Sequence, residues 1–306
     1  MHNFFKKIIK KLKRNRLVLL RKLNFIRSDV YVKYLYNYYT GKDLNLEQPV
    51  EFNEKIQWYK LYFRPAILNQ LVDKYSVRTY VEKKIGKTYL NDIYGVYKEP
   101  ELINFDKLPD KYVIKSTNNS GLNLIVEDNL RLNKKTTRKL LRTWLAKKNY
   151  YKRSREWAYK DIKPRIIIEK FLKDGEENSL IDYKFYCFNQ KVKFVEIHID
   201  RAKEHKRGFY DLDFKPLPFR YVKLEKSISS KINKPENFDE MIDLASKLSE
   251  KLPFVRVDFY SIDGKSIFGE MTFYPSGGRK DYTPNKYNKI VGDYFNLPEK
   301  TYNLNQ

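Results

Sequence analysis

Residues 254–273 read FVRVDFYSIDGKSIFGEMTF, and the alternation of side chains around a central turn predicts a β-hairpin. Its two halves are separated by Ile262-Asp263-Gly264, a turn signal in which Gly264 suits the left-handed position of a three-residue hairpin loop. A loop of odd length pairs residues of equal parity across the two strands. The residues that this pairing places together on one face are Arg256, Asp258, Glu270 and Thr272.

The opposite face of the predicted hairpin is apolar throughout, so we expect it to be buried. It holds Val255, Val257, Phe259, Ile267, Met271 and Phe273. On the polar face, Asp258 and Glu270 come within one cross-strand spacing, which is unfavourable unless a cation lies between them. Mg²⁺ suits this arrangement because one or two carboxylates and substrate phosphates usually bind it. The alternative is a solvated face on which Arg256 pairs with a carboxylate.

Backbone groups that approach an anion are expected just after the hairpin. The turn over residues 274–279 carries two glycines, and such a turn exposes N–H groups. A second phosphate segment lies earlier, where a strand over residues 112–115 ends at Lys115 and leads into a hydroxyl-rich loop over residues 116–121. This pattern suits a phosphate cradle, although it is neither a Walker A motif nor a GxGxxG fingerprint. A surface lysine before an ordinary loop is the alternative.

Two further strands carry polar residues that could face the same site. Lys184 lies in a strand over residues 182–188 with an apolar face, so it either extends along that face or points into the site. Glu169-Lys170-Phe171-Leu172 follows the apolar strand at residues 166–168. This segment would offer backbone groups to an adenine edge and Phe171 or Leu172 to its faces, or it is an ordinary strand-to-turn connection.

The remaining pattern divides the chain into four segments. Residues 1–27 predict a basic amphipathic helix, residues 28–110 a mainly helical domain, and residues 111–173 and 174–306 two α+β subdomains. Predicted helices cover residues 56–63, 66–84, 134–149 and 238–251, and a strand pair covers residues 182–188 and 191–199.

Charge is distributed unevenly along the chain. There are 62 Lys and Arg against 38 Asp and Glu, and eleven of the basic residues fall within residues 1–35 beside one acid, Asp29. The N-terminal helix therefore suits an anionic membrane surface, or it packs on the domain body with a solvated lysine face. A single cysteine, Cys187, excludes an internal disulfide and a cysteine metal cluster. We expect a cytoplasmic protein, with the inner face of the bacterial membrane as a further possibility.

The order of these features resembles the ATP-grasp superfamily and, within it, the TupA-like group of teichuronopeptide and surface-polysaccharide biosynthesis. The resemblance covers roughly residues 28–285. It rests on Phe52-Asn53-Glu54-Lys55-Ile56-Gln57-Trp58, Asp73-Lys74-Tyr75, Asp182-Tyr183-Lys184 and Gly269-Glu270-Met271-Thr272. It implies an ATP-grasp fold, in which two α+β subdomains grip ATP, after a helical N-terminal region.

The resemblance also implies roles for single residues. Lys115 and Lys184 would contact ATP phosphates, the loop at Ser120 and Gly121 would close over the β- and γ-phosphates, and Glu177 would bind the ribose hydroxyls. Residues Glu169, Lys170, Phe171 and Leu172 would line the adenine pocket. The metal set would be Asp258, Glu270 and Thr272, and the catalytic pair Arg256 and Lys184.

Two positions depart from the family pattern. Thr272 stands where ATP-grasp enzymes commonly place an asparagine, so a complete second metal site is in doubt, although its hydroxyl could contact a metal-bound water or phosphate. Asn119 stands where related sequences often carry histidine.

The activity implied is ATP- and Mg²⁺-dependent ligation of a carboxylate to an amine through an acyl phosphate. The substrate implied is an acidic glycan or nucleotide sugar carrying a uronic acid, joined to an amino acid or another amine. Two alternatives stay open. Asp211-Leu212-Asp213 matches the DxD motif of a glycosyltransferase, and the basic charge would suit a nucleic-acid-binding protein. No nucleic-acid partner is expected, because the charge is concentrated in the N-terminal segment.

Overall fold

The computed structural model describes residues 2–23, 26–119, 121–147, 150–173, 180–199, 204–222, 226–228 and 232–304, without the side chains of residues 2–10, 22 and 150. The helices are α1 His2–Lys22, α2 Ser28–Thr40, α3 Phe52–Tyr62, α4 Ile67–Val72, α5 Val77–Ile85, α6 Lys134–Leu145, α7 Tyr150–Ser154, α8 Phe238–Leu248 and α9 Lys286–Asp293. The strands are β1 Ile93–Tyr97, β2 Tyr112–Ser116, β3 Asn123–Val126, β4 Ile166–Lys170, β5 Asp182–Phe188, β6 Lys191–Ile199, β7 Lys206–Tyr210, β8 Arg220–Tyr221, β9 Lys226–Ser227, β10 Phe254–Ile262, β11 Lys265–Thr272 and β12 Tyr282–Thr283. Within these residues no helix has the length and apolar character needed to span a bilayer.

Helix α1 packs against α2 in its second half. Leu17 is buried, Lys13 Nζ donates a hydrogen bond to Asn37 Oδ1 at 2.9 Å, and the Tyr34 hydroxyl donates to the Lys13 carbonyl at 3.1 Å. The packed alternative that the sequence left open therefore holds for this half of the helix. Its outer side still exposes leucines, so packing does not exclude a membrane contact.

The helix predicted over residues 66–84 is two helices, α4 and α5, with a break at Asp73. The Asp73 carboxylate accepts hydrogen bonds from the backbone N–H groups of Tyr75 at 3.2 Å and Ser76 at 2.7 Å. A side chain that bonds the backbone in this way competes with the helical hydrogen-bond pattern. The break places the next residue, Lys74, between the two main sheets of the molecule, which have four and six strands.

The smaller of these sheets has four strands in the order β1-β4-β2-β3, and neighbouring strands are antiparallel. Its buried face packs Ile114, Ile166 and Ile168 against Leu141 and Trp144 of α6 as a separate hydrophobic core. Strand β1 lies in the segment predicted to be mainly helical, yet its Tyr97 pairs with Ile166 of β4. This sheet therefore begins before residue 111.

The larger sheet has six strands in the order β11-β10-β5-β6-β7-β9. Its apolar face packs against α8, with the rings of Phe185 and Phe238 5.7 Å apart. Helix α3 covers one end of the other face, where the rings of Phe52 and Phe254 are 5.2 Å apart. Beyond this aromatic end, the same face carries polar residues, among them Asp182, Lys184 and Asp258.

The hairpin of β10 and β11 has the predicted polar face, but its loop length and its strand register differ from the prediction. Ile262 pairs with Lys265, so the loop has two residues, Asp263 and Gly264, both with positive φ, and the predicted three-residue loop is wrong. A bulge between Asp258 and Phe259 then shifts the register by one residue and restores the pairing of Asp258 with Glu270. The same shift pairs Phe259 with Phe268 and takes Ile267 off the predicted apolar face.

Candidate active site

Arg256 and Asp258 form the centre of the polar face of the large sheet. Arg256 Nε donates to Asp258 Oδ1 at 2.7 Å and its Nη2 donates to Asp258 Oδ2 at 2.8 Å. Both side chains project from the same strand because they are two residues apart. This forked pair holds the guanidinium in a fixed plane, with further N–H groups free to reach the neighbouring strand.

Lys184 meets the same carboxylate from the adjacent strand, β5. It pairs directly with Asp258 in the register, and its Nζ lies 2.5 Å from Asp258 Oδ2 and 3.4 Å from Asp182 Oδ2. All three side chains are almost fully buried. Of the two orientations that the sequence allowed, Lys184 thus points into the polar site.

Glu270 and Thr272 complete the polar face from β11. Arg256 Nη2 donates to Glu270 Oε1 at 3.3 Å and to Thr272 Oγ1 at 3.1 Å. The Glu270 side chain stays 40% exposed, so one side of it remains open to a ligand. Burial raises the pKa of Glu270, but the charges of Lys74, Arg256 and Lys184 outweigh it, and the pKa lies below its usual value.

These residues fit a Mg²⁺ ion that is held mostly by phosphates. Asp258 and Glu270 are directly paired carboxylates, whereas no group of three or more acidic, His or Cys side chains in the described chain is placed to hold a metal alone. Mg²⁺ usually takes one or two carboxylates and completes its shell with phosphates and water. The assignment of Asp258, Glu270 and Thr272 as metal ligands stays a prediction, and Thr272 already accepts a hydrogen bond from Arg256.

Across the gap, the small sheet contributes Lys115 and Glu169. Lys115 Nζ lies 2.5 Å from Glu169 Oε2, and the two side chains come from neighbouring strands, β2 and β4. Both were predicted to contact ATP. Their ion pair leaves Lys115 partly exposed toward the large sheet, as a phosphate-binding lysine requires.

Lys74 joins the two sides of the site, and sequence reasoning gave it no role. Its backbone N–H donates to the Thr117 carbonyl at 3.1 Å, and its Nζ donates to the Asn119 carbonyl at 2.9 Å. Burial lowers the pKa of Lys74, against the opposing charges of Glu270 and Glu169. Lys74 is therefore a cation within reach of both sheets, and the only signal for it was its place in the Asp73-Lys74-Tyr75 stretch.

A narrow pocket of about 20 Å³ lies between the sheets, where the base of ATP was predicted to bind, and we call it the nucleotide pocket. Its lining residues are Lys74, Arg78, Leu90, Asn91, Lys115, Glu169, Leu172, Tyr260, Phe268 and Gly269. Of the residues predicted to line the adenine pocket, Glu169 and Leu172 are in this lining, and their contact with adenine stays a prediction. Lys170 and Phe171 are not in the lining, and the backbone N–H and carbonyl of Lys170 already bond Asp92 and Asn91. The aromatic residues of the lining are Tyr260 and Phe268.

Three predicted ATP contacts concern loops. Ser120 and Glu177 lie outside the described residues, so their roles stay predictions. Gly121 is exposed with a φ of +75°, a conformation that favours glycine, and the space around its Cβ position is open. Its loop begins at Ser116, whose hydroxyl donates to Asn118 Oδ1 at 2.9 Å.

Side chains of α3 donate hydrogen bonds to the turn over Pro275–Gly278 and hold it in place. Ser276, Gly277 and Gly278 all have positive φ, and the carbonyls of Gly277 and Gly278 accept hydrogen bonds from buried donors. Lys60 Nζ donates to the Gly277 carbonyl at 2.5 Å, and Gln57 Nε2 donates to the same carbonyl at 3.0 Å. The Phe52–Trp58 stretch that carried the family resemblance therefore has a structural task, because its helix anchors this turn beside the site.

Burial lowers the pKa of Lys60 from 10.5 to about 7. In the unfolded chain Lys60 keeps its proton up to its normal pKa, so above about pH 7 the unfolded state binds more protons and stability rises with pH. We expect Lys60→Met to remove this contribution. Urea unfolding of both proteins from about pH 7 to about pH 9 should show the wild type gaining stability relative to the variant. Lys139→Met, at an exposed position, serves as the control. If the difference in the free energy of unfolding between the wild type and Lys60→Met did not change with pH, the result would contradict a buried, neutral Lys60.

A second buried polar cluster lies on the same face of the large sheet, and sequence reasoning missed it. Glu196 pairs with Lys184 in the register, and its carboxylate accepts hydrogen bonds from the Tyr186 hydroxyl at 2.9 Å and bonds His198 Nε2 at 2.7 Å. Burial lowers the pKa of His198 to about 4. The His198 side chain is buried, and its ring also lies 3.2 Å from His205 Nε2 through Nδ1.

The DxD stretch lies in a turn after β7. Asp211 Oδ1 accepts a hydrogen bond from the Lys215 backbone N–H at 2.7 Å, and Asp213 is exposed 3.5 Å from Lys215 Nζ. Both carboxylates thus serve the turn locally, and neither belongs to the polar face that carries Asp258.

The chain matches one known protein family. A family model described as TupA-like ATPgrasp matches residues 54–296, which is most of the chain. This match confirms the family resemblance and the ATP-grasp fold that the sequence predicted. A search of the curated proteins gives no match.

Several solved structures are similar to the chain at low identity. D-alanine–D-alanine ligase from Bacillus anthracis is 18% identical over 74% of this chain and 65% of its own, with a TM-score of 0.42. L-amino acid ligase from Bacillus licheniformis is 12% identical over 77% of this chain and 52% of its own, with a TM-score of 0.44. The ATP-grasp ligase PsnB with its minimal precursor is 13% identical over 79% and 67%, with a TM-score of 0.40. The chain spans less than two thirds of the first two proteins, and these likenesses decide nothing about its substrate.

Proposed function

The chain belongs to the TupA-like ATP-grasp family, and from this premise we propose that it joins a sugar carboxylate to an amine with ATP as the energy source. ATP and Mg²⁺ are the cofactors of an ATP-grasp enzyme. The proposed carboxylate is that of a uronic acid in a surface glycan or its nucleotide-sugar precursor, and the proposed amine is an amino acid or a related compound.

The proposed reaction has two steps. A carboxylate oxygen of the sugar attacks the γ-phosphorus of ATP, the bond from that phosphorus to the bridging oxygen breaks, and ADP leaves. The amine then attacks the acyl carbon of the acyl phosphate, gives up a proton, and displaces inorganic phosphate to leave an amide. Mg²⁺, when bound, neutralises charge on the β- and γ-phosphates.

The residues of the polar face suit this chemistry. Lys115 of the small sheet and Lys74 of the break between α4 and α5 would neutralise the charge of the phosphates. Arg256 and Lys184 would donate hydrogen bonds to the transferred phosphoryl group and to the oxyanion at the acyl carbon, where fixed donors have their largest effect. Asp258 holds both cations in place, since it accepts hydrogen bonds from each.

One observation carries the proposal. Asp258 and Glu270 are paired on neighbouring strands beside Lys184 and Arg256, and Lys74 adds a further positive charge near Glu270 from the break between α4 and α5. Glu270 stays 40% exposed among these cations, which suits a carboxylate that binds a phosphate-bound Mg²⁺.

An isotope experiment tests the carboxylate step. Glucuronic acid labelled with ¹⁸O in its carboxylate is incubated with enzyme, Mg-ATP and a mixture of amino acids, and the phosphate released is analysed by mass spectrometry. Activation through an acyl phosphate transfers one ¹⁸O to phosphate. Phosphate that is released at the same rate without label would overturn carboxylate activation, and stabilisation of the protein by UDP-sugars but not by ATP would favour the glycosyltransferase alternative.

We also propose that α1 holds the enzyme near anionic lipid. Leu12 and Leu19 are 63% and 56% exposed, and Lys11, Arg14 and Arg16 beside them are exposed too. Basic side chains around exposed leucines suit a surface of anionic lipid headgroups.

Vesicle flotation tests this membrane contact. We expect the protein to float with vesicles that contain phosphatidylglycerol and not with phosphatidylcholine vesicles. Leu12→Asp with Leu19→Asp should abolish flotation, whereas Leu102→Asp with Leu130→Asp, which changes two exposed leucines elsewhere, should not. Equal flotation of both double variants would contradict the proposal.

A further inference from the structure

A cleft of about 680 Å³ opens beside the nucleotide pocket, between α4, α5 and the segment that precedes β4. We call it the Arg165 cleft, and define it by Tyr75, Arg78, Lys87, Leu90, Lys163 and Arg165. It contains none of the residues that were predicted to bind ATP or metal. Arg78 and Leu90 line both the cleft and the nucleotide pocket, so the two spaces are neighbours.

The charge of the cleft favours an anion. Four basic side chains line it, against the two carboxylates of Asp73 and Glu82. Asp73 is already neutralised, because its Oδ1 lies 2.6 Å from Arg165 Nη2. Lys87 and Lys163 are exposed at the rim, and within the described chain neither takes part in an ion pair. A carboxylate entering the cleft would therefore meet unneutralised positive charge.

Arg165 is held in place within the cleft by its neighbours. Arg165 Nη2 also donates to Ser76 Oγ at 2.8 Å, and its guanidinium carbon lies 4.7 Å from the centre of the Tyr75 ring. The Arg165 side chain is still 23% exposed, so the exposed part of its guanidinium can donate to a sugar hydroxyl in the cleft.

The walls add an apolar surface of moderate size. Tyr75 is 38% exposed, and Leu90, Ile93 and Ile162 line the cleft as partly buried side chains. The C–H face of a pyranose packs on an aromatic ring or aliphatic patch while its hydroxyls reach polar groups at the edge.

We propose that the Arg165 cleft binds a carboxylate-bearing sugar unit of the acceptor glycan, next to the unit whose carboxylate reacts. This inference rests on the proposed function. Lys87 and Lys163 attract the carboxylate, Tyr75 stacks with the sugar ring, and the exposed part of the Arg165 guanidinium donates to a hydroxyl. The cleft thereby selects an acidic polymer over a single acidic sugar.

Binding of a galacturonic acid trimer, compared with the neutral trimer maltotriose, tests the cleft. Affinities are measured by isothermal titration calorimetry at low salt for the full chain, for Lys87→Glu with Lys163→Glu, and for the control Lys139→Glu with Lys191→Glu. The control makes the same charge change at exposed positions outside the cleft. We expect the cleft variant to bind the acidic trimer about tenfold more weakly, the equivalent of about 1.4 kcal/mol, and the control to bind as the wild type does.

Three results would overturn the cleft assignment. They are equal binding of the acidic and neutral trimers, equal weakening by both double variants, and an unchanged affinity in Tyr75→Ala. ATP binding is measured on the same samples, so that failure of the cleft assignment can be distinguished from failure of the proposed function. Loss of trimer discrimination with normal Mg-ATP binding rejects the cleft alone, whereas a wild type that binds the trimer but not Mg-ATP rejects the proposed function.

Discussion

Glu270→Gln is expected to lower ATP turnover by a factor of about a hundred to a thousand. The change removes one negative charge where Mg²⁺ and the phosphates are expected to meet, and leaves a side chain of nearly the same shape. Because Glu270 is 40% exposed, the free energy of unfolding should stay within about 1 kcal/mol of the wild type. The loss should therefore be catalytic, with little structural change.

The measurement is ADP release as a function of Mg²⁺ concentration. The variant should need more Mg²⁺ for half-maximal activity, because one of its two carboxylate ligands is gone. Glu127→Gln, which alters an exposed glutamate outside the site, serves as the control. Activity and Mg²⁺ dependence like those of the wild type would show that Glu270 is a solvated partner of Arg256 and binds no metal.

Lys184→Met is expected to destabilise the fold by about 3 kcal/mol and to abolish detectable turnover. The substitution leaves the buried carboxylates of Asp258 and Asp182 with one cation fewer, and burial already raises the pKa of Asp258. An uncompensated buried charge is far more costly than the loss of a surface pair. The same change removes a donor that we propose faces the γ-phosphate.

Urea unfolding and a second variant separate these two effects. Lys184→Met combined with Asp258→Asn should recover part of the lost stability, because the unpaired charge is gone, but it should recover no activity. Lys191→Met, at an exposed position of β6, is the control. A single variant as stable as the wild type would mean that Lys184 is not paired in solution as it is here.

The polar face of the hairpin could be predicted because strand alternation is a local property. The parity argument reached the right face for Arg256 and Glu270, although the loop was wrong. It did so because the bulge compensates for the shorter loop, and Gly269 permits that bulge. A Cβ at Gly269 would lie 3.1 Å from the Asp258 carbonyl, a contact that no periodicity reveals.

The lysines of the site show the opposite case. Lys74 and Lys60 acquire their roles from contacts with distant segments, the loop at Asn119 and the turn at Gly277. Nothing in the residues beside them distinguishes a buried lysine from a solvated one on a basic chain. The helix break at Asp73 is the one local signal, since aspartate competes for backbone donors, and it was read as helix interior.

The central claim is that Asp258, Glu270 and Lys184 face Lys115 and Lys74 around a single Mg-ATP. Calorimetric titration of the full chain with a non-hydrolysable ATP analogue, with and without Mg²⁺, tests it most directly. We expect Mg²⁺-dependent binding by the wild type and an affinity at least about tenfold lower in Glu270→Gln and in Lys184→Met, each measured where it is folded. Equal binding of the analogue by all three proteins would contradict the site.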